Sequence, residues 1–285
     1  MCAEPFVKVN NYNKMDRSNL NYRTTKVPCG RCPECIKAKI NSWLFRLGNE
    51  LDRSKNPLFV TLTYANENLT YSNQENATLV KRDLQLFFKK LRKRHDKKYP
   101  EAQKIKYYAC GEYGSKTKRP HYHIILLNCL DATMVHDAWG LGHTLSLPLL
   151  SGGANYVLKY MSKQRTKSPG DDNQKEFSLM SKGIGENYLS ANMITYHNDS
   201  VEKAFVYTKE GYKMSMPRYY KSKIYTKEMQ QLVTEYLQNR ADESQLLQIK
   251  RLEKRYPGKN ENFYENLLLQ SKHLQKFDKR KEDVL

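Results

Sequence analysis

The chain has 285 residues, with 49 lysines and arginines against 30 aspartates and glutamates and a formal charge of +19. That length supports one large domain, or one domain with an appendage, and its positive excess makes a polyanion the default partner. No apolar stretch reaches the roughly 18 residues of a membrane span and Met1 to Glu4 is no secretory signal, so a soluble intracellular protein without a membrane partner is expected, its cysteines reduced or bound to metal.

Cys29, Cys32 and Cys35 make two consecutive CxxC steps. This spacing brings thiolates onto one ion, and it also suits a tight turn of reduced cysteines. A structural zinc wants a fourth ligand, for which Cys2 is the nearest candidate and Cys110 and Cys129 are others. Directly after the cluster, Ile40, Trp43, Leu44, Leu47 and Leu51 recur on one stripe of an amphipathic helix.

Asn56 and Pro57 break that pattern, and Leu58 to Tyr64 reads as a strand. Residues 66–76 are loop-like. A second helix is expected from about Thr78 to His95, burying Val80, Leu84, Phe87, Phe88 and Leu91. Its other positions carry Lys81, Arg82, Lys89, Lys90, Arg92, Lys93 and Arg94, which suit either a solvated face or phosphate contact.

Lys104 to Glu112 predicts another strand, followed by a short connector and a strand running to Leu127. On the latter, His121 and His123 fall on one face, roughly 6 to 7 Å apart. Two strands joined by a short connector pair antiparallel, so Glu112 lies beside the start of the histidine strand. Two imidazoles and a carboxylate hold an ion with positions left open, as a catalytic site requires. Each residue taken singly suits a half-exposed strand equally well. Asp131 to Trp139 reads as a short helix and Leu141 to Leu150 as an extended segment, with His136 and His143 as surface or packing residues.

A helix is expected after Gly152 and Gly153, with Ala154, Val157, Leu158 and Met161 as its apolar stripe. Tyr156, Lys159, Tyr160 and Lys163 share the opposite face. Two tyrosines kept off the packing stripe, roughly 6 Å apart along the axis, are candidate covalent nucleophiles. A phenol with an ordinary pKa of about 10 needs a cation nearby. Lys159 and a bound metal are the available ones.

Residues 164–186 read as a polar loop in which Met180 to Gly185 form a turn or a phosphate nest. A hairpin around Gly211 follows. Residues 217–223 interleave aromatics with cations, offering Arg218, Tyr219 and Lys221 to a single strand. Beyond Thr226 the chain is helical and charged. The expected organisation is a cysteine segment with its helix over 1–55, a core over 56–225 and a helical appendage over 226–285.

The strand ending at Thr61 to Thr63, the His121 to His123 strand and the Tyr156 to Tyr160 helix, in that order, resemble the rolling-circle initiators of the HUH endonuclease superfamily. Val27 to Cys35, Gly111 to Gly114, Arg119 to His123 and Met216 to Tyr220 narrow the resemblance to initiators of small single-stranded DNA phages, the gokushovirus branch of Microviridae. The resemblance implies an α+β fold, with a central antiparallel sheet and flanking helices around an RRM-like core. It implies Mg²⁺ or Mn²⁺ held by His121, His123 and Glu112, and leaves open Zn²⁺ at Cys2, Cys29, Cys32 and Cys35. Tyr156 or Tyr160 would attack the origin strand with Lys159 stabilising charge, leaving a 5′-phosphotyrosyl bond and a 3′-OH before the ends are rejoined. Arg119, Lys163, Arg218, Tyr219 and Lys221 would contact DNA. The implied partners are the viral origin and the host helicase and polymerase, in the host bacterial cytoplasm. A HUH transposase or relaxase shares the chemistry, a basic binder of single-stranded nucleic acid would use the histidines structurally, and a metal-dependent hydrolase would release its product.

Overall fold

The computed structural model describes residues 6–9, 24–114, 116–150, 157–158, 172–260 and 262–268. They form two compact units that part between Tyr188 and Leu189. The helix following the cysteines belongs to the first unit, and residues 189–225 belong to the second.

In the first unit β1 (Phe6–Val9) and β2 (Thr24–Val27) form a small antiparallel ladder. The cysteines lead into α1 (Pro33–Leu51), with proline in its first turn, where a missing N–H costs nothing. The main sheet contains β3 (Leu58–Tyr64), β4 (Lys106–Tyr113), β5 (Pro120–Leu127), β6 (Gly142–Pro148) and β7 (Phe177–Met180). Its order is β6-β3-β5-β4-β7, and every neighbouring pair is antiparallel. Gly142 opens β6 because a Cβ there would strike the backbone of Thr63 to Ala65.

Strand alternation divides the sheet into two working faces. Leu58, Val60, Leu62 and Tyr64 of β3, with Tyr122, Ile124 and Leu126 of β5, meet α2 (Lys81–Lys98) and α3 (Thr133–Trp139) through Leu84, Phe87, Phe88, Leu91, Val135 and Trp139. On the other face Tyr108, Cys110, Ile125 and Leu127 meet Leu47 and Trp43 of α1 together with Val157 and Leu158, both helical and fully buried. The histidines, at odd positions of β5, belong to this α1 face.

Four details depart from the sequence reading. α2 begins at Lys81 rather than Thr78, because Val80 is extended and its N–H donates to the Tyr122 hydroxyl at 3.0 Å. Arg92 turns inward to donate to the Ile105 carbonyl and Ser181 Oγ, whereas Lys81, Arg82, Lys89, Lys90, Lys93 and Arg94 are exposed. β7 lies where a loop was expected; it is a short edge strand of half-buried residues, with Phe177 and Leu179 packed on the α2 core. The turn at Gly183 to Gly185 is no phosphate nest, since the Gly185 N–H donates at 2.8 Å to Glu50, whose other oxygen pairs with Lys106 at 2.7 Å.

The second unit contains α4 (Ala191–Asn198), a β8 (Phe205–Tyr207) and β9 (Lys213–Ser215) hairpin, α5 (Arg218–Ile224) and α6 (Lys227–Arg255). Thr226 caps α6 by accepting the Met229 N–H, and Gly211 supplies the positive φ of the hairpin turn. Among the described residues no helix is long and apolar enough to cross a membrane.

Candidate metal centre

At one end of the α1 face, a cross-strand row joins Glu112 on β4, His121 on β5, Thr63 on β3 and His143 on edge strand β6. The next row joins Cys110, His123, Thr61 and Leu145. Beyond these rows the face becomes apolar, with Tyr108, Ile125 and Phe59. The polar end is therefore built against a packed core, which restricts the rotamers of the side chains beside it.

Glu112, His121 and His123 bring their ligand atoms within 4.8 Å of one another. Glu112 Oε1 lies 2.7 Å from His121 Nε2 and 3.1 Å from His123 Nε2. The other ring nitrogens are occupied behind the site. His121 Nδ1 donates to the Arg119 carbonyl at 3.1 Å, and His123 Nδ1 is 3.1 Å from Thr61 Oγ1. Backing each ligating imidazole with a partner at its far nitrogen is how metal sites fix ring orientation and tautomer. Phe59 stacks on His123 at 5.6 Å.

This arrangement requires positive charge. With its Nδ1 proton committed to a carbonyl, a neutral His121 would turn a lone pair toward a carboxylate oxygen. Only a second ring proton or a bound cation makes the 2.7 Å approach favourable. Burial opposes ionisation of Glu112, but hydrogen bonds and charge from His121 and His123 outweigh it and hold the carboxyl below its ordinary range. Two nitrogens and one carboxylate oxygen converging in this way can hold a metal ion. His121 is the more open histidine, its side chain 18% exposed against 9% for His123.

A second group lies at the start of α1. Cys29, Cys32 and Cys35 also gather within 4.8 Å, and the Cys29 sulfur accepts N–H groups from Arg31 at 3.4 Å and Cys32 at 3.2 Å. Cys110 and Cys129, the two alternatives for a fourth ligand, are buried in separate cores with thiols pushed by burial up to about 12 and about 11. Neither joins the cluster. Cys2 lies outside the described residues.

Both groups occur in a chain that is 30% identical to the replication-associated protein ORF2 of Spiroplasma virus 4 over 252 residues, 79% of this chain and 76% of that protein. The chain belongs to the replication-associated proteins of the Microviridae. Within that family it is also 24% identical over 217 residues to protein VP4 of Bdellovibrio phage phiMH2K, covering 68% of this chain and 65% of that one. Protein ORF4 of Chlamydia phage 1 is 22% identical over 216 residues, 68% of this chain and 52% of its own length. The family model for the replication-associated protein ORF2 matches residues 57–165, a span that contains Glu112, His121 and His123. No solved structure matches.

Of the other residues singled out in this replication protein, Arg119 is half-buried, donates to the Tyr64 carbonyl and accepts from His121, so it braces the triad. Tyr156, Lys159, Tyr160 and Lys163 lie outside the described residues. Arg218 is exposed on α5, Tyr219 and Lys221 are half-buried there, and burial lowers the ammonium pKa of Lys221. His143, read as a surface or packing residue, is exposed, yet it shares the row of Glu112 and His121. Strand register alone reveals that relation.

Proposed function

We propose that this replication initiator is a metal-dependent nickase and strand transferase of the HUH type, acting on single-stranded DNA at the viral origin. The observation that carries the reading is the Glu112, His121 and His123 group, whose Nε2 and Oε1 atoms converge while their outer atoms are braced. Val157 and Leu158, which separate Tyr156 from Lys159 in the sequence, are buried on the same sheet face. The carbonyl of Val157 is 3.9 Å from the Cys110 sulfur, and Cys110 pairs across the strands with His123. These contacts support a nucleophile helix on the metal-bearing side.

Glu112, His121 and His123 would hold a divalent cation, which would supply polarisation of the scissile phosphodiester and neutralisation of its charge. Glu112, His121 and His123 fix where that phosphate sits, with Arg119 and Thr61 orienting the two rings. The oxygen of Tyr156 or Tyr160 attacks phosphorus in line: the P–O(Tyr) bond forms as the P–O3′ bond breaks, the phenol loses its proton and the departing 3′ oxygen gains one. Lys159 stabilises the phenolate. The second tyrosine repeats the attack on the regenerated origin, and the freed 3′-OH displaces the first to join the ends.

In this reading Arg119, Lys163, Arg218, Tyr219 and Lys221 hold the strand, and residues 56–225 act as the nuclease core with 226–285 appended. Host helicase and polymerase extend the product in the host cytoplasm. Cys29, Cys32 and Cys35 hold structural zinc with Cys2. Elemental analysis of purified protein should then find one zinc per chain, lost in Cys32→Ser; a protein free of zinc refutes that part.

The chemistry is tested with suicide oligonucleotides tiled across the viral strand in Mn²⁺. One of them should trap a covalent protein–DNA adduct that EDTA prevents and that Tyr156→Phe combined with Tyr160→Phe abolishes. An adduct surviving in the double variant refutes the tyrosine assignment, and cleavage without any adduct favours a water nucleophile.

A further inference from the structure

The first cross-strand row of the α1 face extends past Glu112. β7 pairs with β4 in a register that sets Phe177 opposite Gly111 and Ser178 opposite Cys110. Continued by one residue, that register sets Glu176 opposite Glu112, on the face that holds the two histidines. Side chains directly opposite in an antiparallel pair stand roughly 5 Å apart at Cβ. The charge of Glu176 reaches Cys110, which also feels Glu112, and the Cys110 thiol donates to the His123 carbonyl at 3.7 Å.

Glu176 is anomalous in one respect: its Oε2 is buried without a hydrogen-bond partner among the described residues. A buried carboxylate oxygen with nothing to accept from is costly, and so is a second carboxylate beside Glu112. Such a group persists where something beyond the described residues supplies donors and positive charge. The converging donor atoms are those of Glu112, His121 and His123, and Glu176 is not among them. It is therefore not one of the inner ligands.

We propose that Glu176 is the outer carboxylate of the metal centre, accepting a hydrogen bond from the hydration water of a divalent cation held by Glu112, His121 and His123. This rests on the metal reading of that triad. It also gives the site a direction: with Glu176 on the β7 side, the substrate phosphate enters over Thr63 and the exposed His143 on the β6 side.

The test is calorimetric titration of Mn²⁺ into full-length, metal-depleted protein, using wild type, Glu176→Gln and Glu112→Gln, with melting curves for each in the presence and absence of Mn²⁺. Mn²⁺ prefers oxygen and nitrogen donors, so the cysteine cluster contributes little to the signal. Glu176→Gln should weaken Mn²⁺ about tenfold or more, the range for outer-shell partners, and should shrink the rise in Tm that Mn²⁺ produces. Its metal-free Tm should stay level, because the amide keeps the shape of a side chain whose Oε2 has no hydrogen-bond partner among the described residues. Wild-type affinity in Glu176→Gln overturns the proposal, as does a lower metal-free Tm with unchanged affinity, which marks a structural role. Absence of Mn²⁺ binding by the wild type, or equal binding by Glu112→Gln, overturns the triad reading and this inference with it.

Discussion

His123→Ala should lower the rate of adduct formation by about a thousandfold or more, the several kcal/mol that a bound cation contributes to the transition state, while affinity for single-stranded DNA stays within about twofold. The two effects separate because they have different sources. Adduct formation needs Nε2 of His123, which lies 3.1 Å from the carboxylate oxygen it shares with His121 and is buried under Phe59. Affinity comes from a chain with a formal charge of +19, including exposed lysines and arginines of α2 on the opposite side of the sheet. Gel assays of adduct formation and fluorescence anisotropy with a labelled oligonucleotide read the two quantities. Affinity that falls in step with the adduct would mean that the histidine contacts DNA, and an undiminished adduct would mean that the cation binds elsewhere. Both measurements are made well below the Tm of the variant, since removing a buried ring also costs stability.

The histidine pair was legible because it needs only strand alternation, and Glu112 because a short connector forces antiparallel pairing. β3 and α1 were equally readable: a seven-residue run of apolar and β-branched residues and a long single stripe are strong local signals. The start of α2 was not legible, since the backbone of Val80 is held by a tyrosine hydroxyl from another strand. Arg92 looked like one more cation in a basic run, and only the tertiary position of the Ile105 carbonyl turns it inward. β7 is a four-residue edge whose partner fixes it. His143 is separated from the triad in sequence and shares its row only through register, so no spacing rule identifies it. The apparent phosphate nest has the glycines of one, but its Gly185 N–H is satisfied by Glu50, a buried acid whose partner lies across 135 residues. In each case the missed feature depends on what the rest of the chain places opposite a local motif.

Tyr122 shows how far such a contact reaches. It stands between the two histidines, but alternation turns its side chain to the α2 face, where it is fully buried. Its hydroxyl accepts the Val80 N–H and donates to the Val80 carbonyl, both at 3.0 Å, and meets the Tyr64 hydroxyl at 2.7 Å; the latter donates to Asp83 at 2.9 Å. Burial raises the phenol of Tyr122 to about 12 and that of Tyr64 further, so both stay protonated at neutral pH. Tyr122→Phe leaves the Val80 N–H without its partner, while the Val80 carbonyl keeps the Asp83 N–H at 3.2 Å, so the loss is about 1 to 3 kcal/mol. Urea unfolding of the metal-free protein measures it, and a loss below about 0.5 kcal/mol would mean that water replaces the hydroxyl. The loss bears on the site because β5 carries the imidazoles on its other face, and loosening the anchor of Tyr122 loosens the register that sets His121 against Glu112. Mn²⁺ should therefore bind Tyr122→Phe more weakly, yet excess Mn²⁺ should restore adduct formation, because a ligand that binds only the ordered site stabilises it by mass action. His123→Ala admits no such rescue. Saturating metal thus distinguishes a residue that holds the ion from one that holds the strand on which the ligands stand.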